Sequence, residues 1–193
     1  MIITISGTPG SGKSTVAKIL LEKLHAERIY VGGIRRELAK KKGMTLVELN
    51  QYALSHPETD VDIDKQAAAE ALKLEKSGKT VIVEGRTQFH FLPRSVKIYI
   101  KVDLNEGAKR IWKQLQQKEE KKKRNEGEIN SLTQMKKELL KREENDAQRY
   151  KKYYGFDHRD KSHYDLILDS TKILPEEVVD KILAYLNKYK NKQ

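Results

Sequence analysis

The chain has no cysteine among its 193 residues and no long apolar run. The first absence excludes disulfide bonds and thiolate metal ligands. A membrane-spanning helix needs about 18 consecutive apolar residues, and no such run occurs, nor does an apolar segment with a cleavage site open the sequence. We therefore expect a cytoplasmic protein without membrane insertion. The length suits one domain, 1–193, with a sizeable buried core.

Basic residues outnumber acidic ones, 39 to 28, so the formal net charge is +11. Such an excess can serve nucleic-acid binding, because Lys and Arg neutralise phosphates. Here the two signs are mixed along the chain, and 35% of all residues are charged. A solvated surface rich in ion pairs explains most of this composition, so we expect no nucleic-acid partner.

Glycine is concentrated in one short segment, TISGTPGSGKST, which lies between a β-branched run at residues 1–6 and a helical apolar pattern from Lys13 onward. Gly-x4-Gly-Lys-Ser in a strand-to-helix turn is the phosphate-binding P-loop, whose backbone N–H groups surround an anion at a helix N-terminus. Glycine is needed where main-chain nitrogen must touch a phosphate. The predicted phosphate-binding residues are Gly7, Thr8, Pro9, Gly10, Ser11, Gly12, Lys13, Ser14 and Thr15.

Two side chains of this loop carry most of the expected chemistry. Lys13 can reach the outer phosphates of a nucleotide, and the hydroxyl of Ser14 is the expected Mg²⁺ ligand. Thr15 lies one step further round the helix, where we expect it to pack or to form a hydrogen bond in the first turn. The segment therefore predicts a site for a nucleoside triphosphate and Mg²⁺.

Apolar and β-branched runs predict five strands, and helical patterns separate them. Such alternation predicts an α/β fold with a parallel sheet covered on both faces, and ligands at the carboxyl ends of the strands, where the P-loop lies. Gly32 and Gly33 are expected to close the second strand. The predicted strands are residues 1–6, 28–31, 80–84, 96–102 and 164–169.

Two amphipathic helices are predicted between residues 105 and 150, and the charged run KEEKKKRNEGE lies between them. This run is either a solvated connection or the tip of a lid that excludes water from the phosphate site. The alternating Asp60, Asp62 and Asp64 lack the glycine and the glutamate that an EF-hand calcium loop requires. We expect a helix cap near Asp64 instead. A last helix begins near Pro175.

Phosphoryl transfer requires positive charge around the phosphates, and two arginines follow predicted strand ends on the P-loop side. Arg86 follows the third strand in VIVEGR, and Arg36 follows the second in VGGIRREL, with Arg35 as its rival. A third set shares one helix face because its members are four and three residues apart: Arg142, Asp146 and Arg149. Spacing alone fits an exposed helix with intrahelical ion pairs equally well.

The order of these motifs carries a resemblance to a known family. GTPGSGKST, VGGIRREL, VEGR, AKRI and REENDAQRY…YDLILDSTKILPEEVV together resemble the archaeal-type cytidylate kinases, over nearly the whole chain. The resemblance implies transfer of a phosphoryl group from ATP to CMP or dCMP, which gives ADP and CDP or dCDP. It favours Arg36 over Arg35.

The same resemblance implies a P-loop nucleoside monophosphate kinase fold. Its five-stranded parallel sheet would have the order 2-3-1-4-5 and helices on both sides. A helical acceptor-binding region would occupy about residues 34–77, and a helical lid would occupy about residues 113–141. We expect the protein to be a monomer.

Residue roles also follow from the resemblance. Arg36 and Arg86 would hold the acceptor phosphate. The acceptor's sugar and the transferring phosphoryl group would be contacted by Arg142, Asp146 and Arg149. Arg110, in AKRI, would belong to the ATP and lid side. The implied catalytic residues are Lys13, Arg86, Arg142 and Arg149.

The chain departs from the bacterial members at the base site. They carry Asp-Gly-Arg-Asp where this chain has EGRT at 84–87, so the acidic residue that contacts the base in those enzymes is absent. The long bacterial insertion in the acceptor region is also missing. The residues that read cytosine are therefore unassigned, and the region between Gly43 and Asp64 is the candidate.

The expected mechanism needs no general base, because a phosphate monoester, with a second pKa of about 6, is already an anion. Mg²⁺ would sit on Ser14, with Glu84 acting through a metal-bound water, and arginines would offset the repulsion between two anions. The expected partners are ATP and CMP or dCMP. Two alternatives stay open: a kinase for another small acceptor such as AMP or UMP, and a nucleic-acid-dependent P-loop ATPase.

Overall fold

The computed structural model describes residues 1–190, which contain one five-stranded sheet of order β2-β3-β1-β4-β5. Every neighbouring pair of strands is parallel. The predicted order 2-3-1-4-5 is therefore confirmed. Strands β1 to β5 are, in chain order, Ile2–Gly7, Glu27–Tyr30, Val81–Glu84, Val96–Lys101 and Leu166–Asp169.

Helices connect the strands and cover both faces of the sheet. Within residues 1–190, none of them combines the length and the apolar character that crossing a lipid bilayer requires. A 3-10 turn, Lys161–His163, precedes β5. Helices α1 to α9 are, in chain order, Lys13–Leu24, Val31–Lys41, Leu46–Tyr52, Glu58–Lys76, Gln88–Phe91, Leu104–Leu115, Lys118–Arg124, Leu132–Tyr154 and Pro175–Lys190.

The central strand β1 is apolar on both faces because helices cover both. Ile3 and Ile5 pack with Ile98 in the cluster under α1 and α9. Ile2 points to the opposite face and packs with Val83 in the cluster under α4. Alternate residues of a strand point to opposite faces, so burial on both sides accounts for the β-branched run that predicted this strand.

Helices α6 and α8 pack against each other through the two predicted apolar stripes. The buried members of their shared cluster are Ala108, Ile111, Leu115, Ile129, Met135 and Leu139. Between the two helices, the charged run forms the short helix α7, in which no residue belongs to the buried core. The chain therefore has three helices in this region where the pattern predicted two.

Two local predictions are wrong. Gly32 and Gly33 do not close β2 but lie in the first turn of α2, where a Cβ on Gly33 would lie 2.7 Å from Cδ1 of Tyr30. Glycine at this position makes room for the Tyr30 ring. Asp64 does not cap a helix, because α4 begins at Glu58 and Asp64 is 4% exposed inside it. Local spacing could not predict this, since the partners of Asp64 lie elsewhere in the chain.

Candidate active site

The carboxyl ends of three neighbouring strands place the P-loop, Arg86 and the start of α2 at one edge of the sheet. In the parallel register, Glu84 of β3 lies beside Ile5 of β1 on one side and Tyr30 of β2 on the other. Loops that follow these strands must therefore leave the sheet side by side, where open α/β sheets bind ligands.

The P-loop follows β1 and ends where α1 begins at Lys13. Gly10 and Gly12 have φ values of +78° and +82°, a left-handed conformation that favours glycine. A Cβ on Gly10 would also overlap the backbone of Gly107 in α6. Close packing on α6 therefore requires glycine at position 10, in addition to any phosphate contact. Gly107 was not predicted, because a single glycine in a helix carries no distinctive pattern.

The amine of Lys13 lies against the loop that it follows. Its Nζ donates to the carbonyl oxygens of Gly7 and Thr8, both at 2.7 Å, and is 3.4 Å from Oγ of Ser11. Burial lowers the pKa of Lys13 to about 7, and the positive charge of Arg86 adds to this effect. A nearby anion favours the charged form of an amine, so bound phosphates would raise this pKa again.

Glu84, at the end of β3, is 3% exposed and holds one oxygen free for a further donor. Its Oε1 accepts from Nε of Arg28 at 2.5 Å. Its Oε2 is buried and has no hydrogen-bond partner within residues 1–190. Arg28 was not predicted, and its guanidinium group lies 4.6 Å from the centroid of the Tyr30 ring.

This free oxygen suits the water-mediated contact with Mg²⁺ that was expected of Glu84, because Mg²⁺ keeps several of its waters in proteins. Ser14 lies in the first turn of α1, at the start of the helix that the P-loop leads into. In the described part of the chain, no three acidic or histidine side chains form a metal site by themselves. The residues present therefore fit an ion that is held mainly by substrate phosphates, Ser14 and water.

Arg86, in the loop after β3, contacts two carboxylates of α8. Its Nη2 is 3.0 Å from Oε1 of Glu143, and its Nη1 pairs with Asp146. Nε of Arg142 is 3.9 Å from the same Asp146 carboxylate. Burial lowers the pKa of Arg142 to about 10, against the opposing effect of Glu126. Arg86 and Arg142 are thus brought together at the Asp146 carboxylate.

Arg149 is 1% exposed and lies beneath this group, so the alternative of an exposed helix face is wrong for it. Its Nη2 donates to Oδ1 of Asp146 at 2.6 Å, and its Nε is 2.9 Å from Oδ2 of Asp60. Its Nη1 donates to the carbonyl oxygen of Asn50 at 3.1 Å. Arg149 therefore joins α8 to α3 and α4.

The neighbouring Arg35 and Arg36 of α2 have different surroundings. Arg35 is buried, pairs with Asp60 and donates from Nη2 to Oδ1 of Asn50 at 3.0 Å. Nη1 of Arg36 donates to the hydroxyl of Tyr30 at 2.8 Å. Arg36 pairs with Glu126 in the connection between α7 and α8, whereas Arg35 pairs with Asp60 of α4.

Glu126, in that connection, is a partner that the sequence did not predict. Its Oε1 is 3.3 Å from Nη1 of Arg142, 3.4 Å from Nη1 of Arg124 and 3.8 Å from Nη2 of Arg36. Burial would raise the pKa of Glu126, but Arg142, Arg36 and Arg124 outweigh that effect and lower it. One glutamate in a charged run of mixed sign has no pattern that could have marked it.

Arg110 of α6 is hydrogen-bonded to the loop that follows β5. Its Nη2 donates to the carbonyl oxygens of Ser170 at 2.8 Å and Thr171 at 3.2 Å, and its Nε donates to Glu106 at 2.9 Å. Oγ of Ser170 in turn donates to the carbonyl oxygen of Ser11 at 2.9 Å. The loop after β5 therefore connects Arg110 to the P-loop.

Residues 3–152 match a family described as an AAA domain. Solved structures with the same fold include a shikimate kinase from Bacteroides thetaiotaomicron, with a TM-score of 0.63 and 16% identity over 97% of this chain and 98% of that one. A shikimate kinase from Acinetobacter baumannii in complex with shikimate has a TM-score of 0.56 and 18% identity over 98% and 94% of the two chains. Identities this low show the fold alone. Together with the P-loop and the strand order, they show that this chain has the fold of the P-loop kinases.

Sequence relatives define the family within this class. Cytidylate kinase from Archaeoglobus fulgidus is 41% identical over 184 residues, which covers 95% of this chain and 93% of the relative. Cytidylate kinase from Sulfolobus acidocaldarius is 38% identical over 191 residues, 97% of this chain and 95% of the relative. The chain belongs to the cytidylate kinase family, and the resemblance predicted from its motifs is confirmed.

Proposed function

We propose that this protein transfers the γ-phosphoryl group of ATP to CMP or dCMP and releases ADP with CDP or dCDP. The observation that carries the proposal is the group of arginines beside the P-loop, in a chain of the cytidylate kinase family. The P-loop binds the donor, and the arginines face the position where a second anion must approach it. Such an arrangement suits transfer between two phosphates.

On the donor side, backbone N–H groups of the P-loop and Lys13 bind the ATP phosphates, and Arg110 of α6, which is hydrogen-bonded to the loop after β5, binds beside them. Ser14 and, through water, Glu84 hold Mg²⁺, which neutralises charge on the phosphates. The pairing of Glu84 with Arg28 keeps one carboxylate oxygen in place while the other stays available.

On the acceptor side, Arg36, Arg86 and Arg142 bind the phosphate of the nucleoside monophosphate. One of its oxygens attacks the γ-phosphorus of ATP, and the bond from that phosphorus to the β,γ-bridging oxygen breaks. The attacking oxygen carries no proton near neutral pH, so no side chain acts as a base. Arg149 lies beneath these residues and orients the Asp146 carboxylate by a hydrogen bond. Asp146, held in this way, contacts the sugar of the acceptor.

Residues 113–141 act as the lid, and the ion pairs of Glu126 support this. Glu126 contacts Arg36 and Arg142, two of the residues proposed to hold the acceptor phosphate. A carboxylate and a phosphate compete for the same guanidinium groups. Glu126 therefore leaves the arginines when the acceptor phosphate binds, and the lid then closes over both substrates and excludes water.

The test is a product assay with Mg·ATP and, in separate reactions, CMP, dCMP, UMP, AMP and GMP. We expect CDP and dCDP to form fastest, with one ADP for each diphosphate. Faster reaction with AMP or UMP would overturn the acceptor assignment and leave a kinase. Equal ADP release in every reaction, without any nucleoside diphosphate formed from the acceptor, would contradict the proposed acceptor site altogether.

A further inference from the structure

Gln88 is completely buried, yet its amide oxygen is unpaired. The residue begins α5, two positions after Arg86, and is 0% exposed. Its Oε1 has no hydrogen-bond partner in residues 1–190. A buried acceptor without a partner destabilises the folded state, and such groups are rare in folded proteins. A ligand that donates a hydrogen bond here would remove that destabilisation.

Asp64 determines which end of the Gln88 amide is available. Nε2 of Gln88 donates to Oδ1 of Asp64 at 2.9 Å, and the hydroxyls of Thr87 and Tyr154 both donate to Oδ2 at 2.7 Å. An ionised carboxylate accepts hydrogen bonds only, so the NH₂ group of Gln88 must face it. Oε1 of Gln88 consequently points away from Asp64 and is available only as an acceptor.

The protonation state of Asp64 sets the pH range in which the Gln88 amide keeps this orientation. Burial raises the pKa of Asp64 to about 6, although the hydrogen bonds from Tyr154 and Thr87 partly offset it. Of the charged groups around it, Asp60 raises this pKa and Arg35 lowers it. Above pH 6 the carboxylate form predominates, and the orientation of the Gln88 amide is determined.

This buried polar group adjoins the arginines of the acceptor site. Asp64 lies one helical turn after Asp60 on α4, and Asp60 pairs with Arg149. Gln88 follows Arg86 in the loop that leaves β3. Arg86 and the unpaired oxygen therefore lie in the same short segment after β3, and α4 carries both the partner of Gln88, Asp64, and the partner of Arg149, Asp60.

We propose that Oε1 of Gln88, oriented by Asp64, accepts a hydrogen bond from the exocyclic amino group of the acceptor base. The inference rests on the proposed function and names the contact that selects CMP over UMP. Cytosine presents an N–H donor at its position 4, and uracil presents a carbonyl oxygen there. Two acceptors would face each other with UMP, and sites built to hydrogen-bond a substrate group reject analogues that lack it. Adenine has an amino group too, so this contact does not separate CMP from AMP.

The test compares kcat/KM for CMP and UMP in the wild type and in Gln88→Met, which keeps a similar shape and removes the acceptor. We expect kcat/KM for CMP to fall at least about tenfold and that for UMP to change less than about threefold. Gln148→Met is the matched control, because Gln148 is an exposed glutamine of α8. An unchanged CMP-to-UMP ratio in Gln88→Met would overturn the inference.

Asp64→Asn gives a second test that does not depend on the folding of Gln88→Met. An asparagine can donate to Oε1 of Gln88, so the amide can turn and present its NH₂ group to uracil. We expect the CMP-to-UMP ratio to shift toward UMP by about tenfold. A wild-type ratio in Asp64→Asn would contradict the orienting role of Asp64.

The proposed function and the base contact of Gln88 can be disproved separately. A wild-type protein that phosphorylates neither CMP nor UMP would overturn the proposed function, and the base contact with it. A wild type that prefers CMP, together with unchanged ratios in both variants, would leave the proposed function intact and overturn only the base contact.

Discussion

The two sides of the site are built in opposite ways. The central part of the donor side is one continuous segment, the P-loop, in which Lys13 is hydrogen-bonded to main-chain oxygens of its own loop. The acceptor side is assembled from side chains on α2, α4, α8 and the loop after β3. Arg149 of α8 contacts Asp146 in its own helix, Asp60 of α4 and Asn50 of α3. A local site depends on backbone conformation, whereas a distributed site depends on buried ion pairs between distant residues.

The largest effect is expected at Arg149, which connects the helices of the acceptor side. Replacing it with methionine removes a buried guanidinium group that pairs with both Asp60 and Asp146, so we expect the free energy of unfolding to fall by about 3–5 kcal/mol. Urea denaturation measures the change. Arg159→Met is the control, because the Arg159 side chain is 40% exposed and its ion pairs lie near solvent. Equal effects of the two substitutions would show that the buried network contributes nothing special.

The donor side is tested at Lys13. Lys13→Ala removes the positive charge that we propose acts on the transferring phosphoryl group, so we expect kcat to fall by about 100- to 1,000-fold. Lys18→Ala, on the exposed face of the same helix, should leave kcat near the wild-type value. Steady-state kinetics with saturating CMP gives both numbers. A loss of less than tenfold in Lys13→Ala would remove Lys13 from the mechanism.

Arg86 tests the acceptor side. With Arg86→Ala we expect a loss of at least about tenfold in kcat/KM for CMP, or about 1.4 kcal/mol of transition-state stabilisation. Arg94, an exposed arginine in the loop before β4, provides the matched substitution Arg94→Ala. If the two variants lost kcat/KM equally, the assignment of Arg86 to the acceptor phosphate would be wrong.

Glu126 tests whether the lid competes with the acceptor. Glu126→Gln removes the charge that pairs with Arg36 and Arg142, so we expect KM for CMP to fall by about threefold. Glu128→Gln, two residues further on at an exposed side chain, should not change KM. A higher KM in Glu126→Gln would contradict competition and show that Glu126 positions the arginines for the substrate.

The smallest effect concerns the proton of Lys13. Its pKa is lowered to about 7, so at about pH 8.5 the amine is mostly neutral before ATP binds. Bound phosphates favour the charged amine and raise its pKa, and binding should therefore take up as much as one proton. Calorimetry in two buffers of different ionisation enthalpy measures this uptake. We expect it to vanish below about pH 6, where Lys13 is already protonated. The absence of uptake at pH 8.5 would contradict the lowered pKa.

The difference between the two sides also decided how much the sequence could predict. The P-loop was predicted because its glycines, lysine and serine must stand at fixed positions in one turn. The strand order followed from the family resemblance and is confirmed by the sheet. Arg36 and Arg86 were proposed by their position after strand ends, and Arg142 by its spacing on a helix. In the structure, Arg36 and Arg142 both pair with Glu126, and Arg86 and Arg142 both pair with Asp146.

The partners of those arginines could not be predicted. Glu126 and Asp60 are acidic residues in charged or alternating segments, where nothing local distinguishes a buried carboxylate from a solvated one. Asp64 was expected to cap a helix, and this prediction was wrong. Its partners, Gln88, Thr87 and Tyr154, are brought to it only by the folded chain, so no local pattern indicates them. Burial and long-range pairing are properties of tertiary structure.

The most direct test of the central claim is the stoichiometry of the reaction. ADP and CDP are measured together in reactions that contain Mg·ATP with and without CMP. If the P-loop and the arginines form one site for transfer between two phosphates, one CDP appears for each ADP, and ADP formation without CMP is far slower. ADP release at the same rate with and without CMP would contradict the account, because the arginine side would then play no part in the reaction.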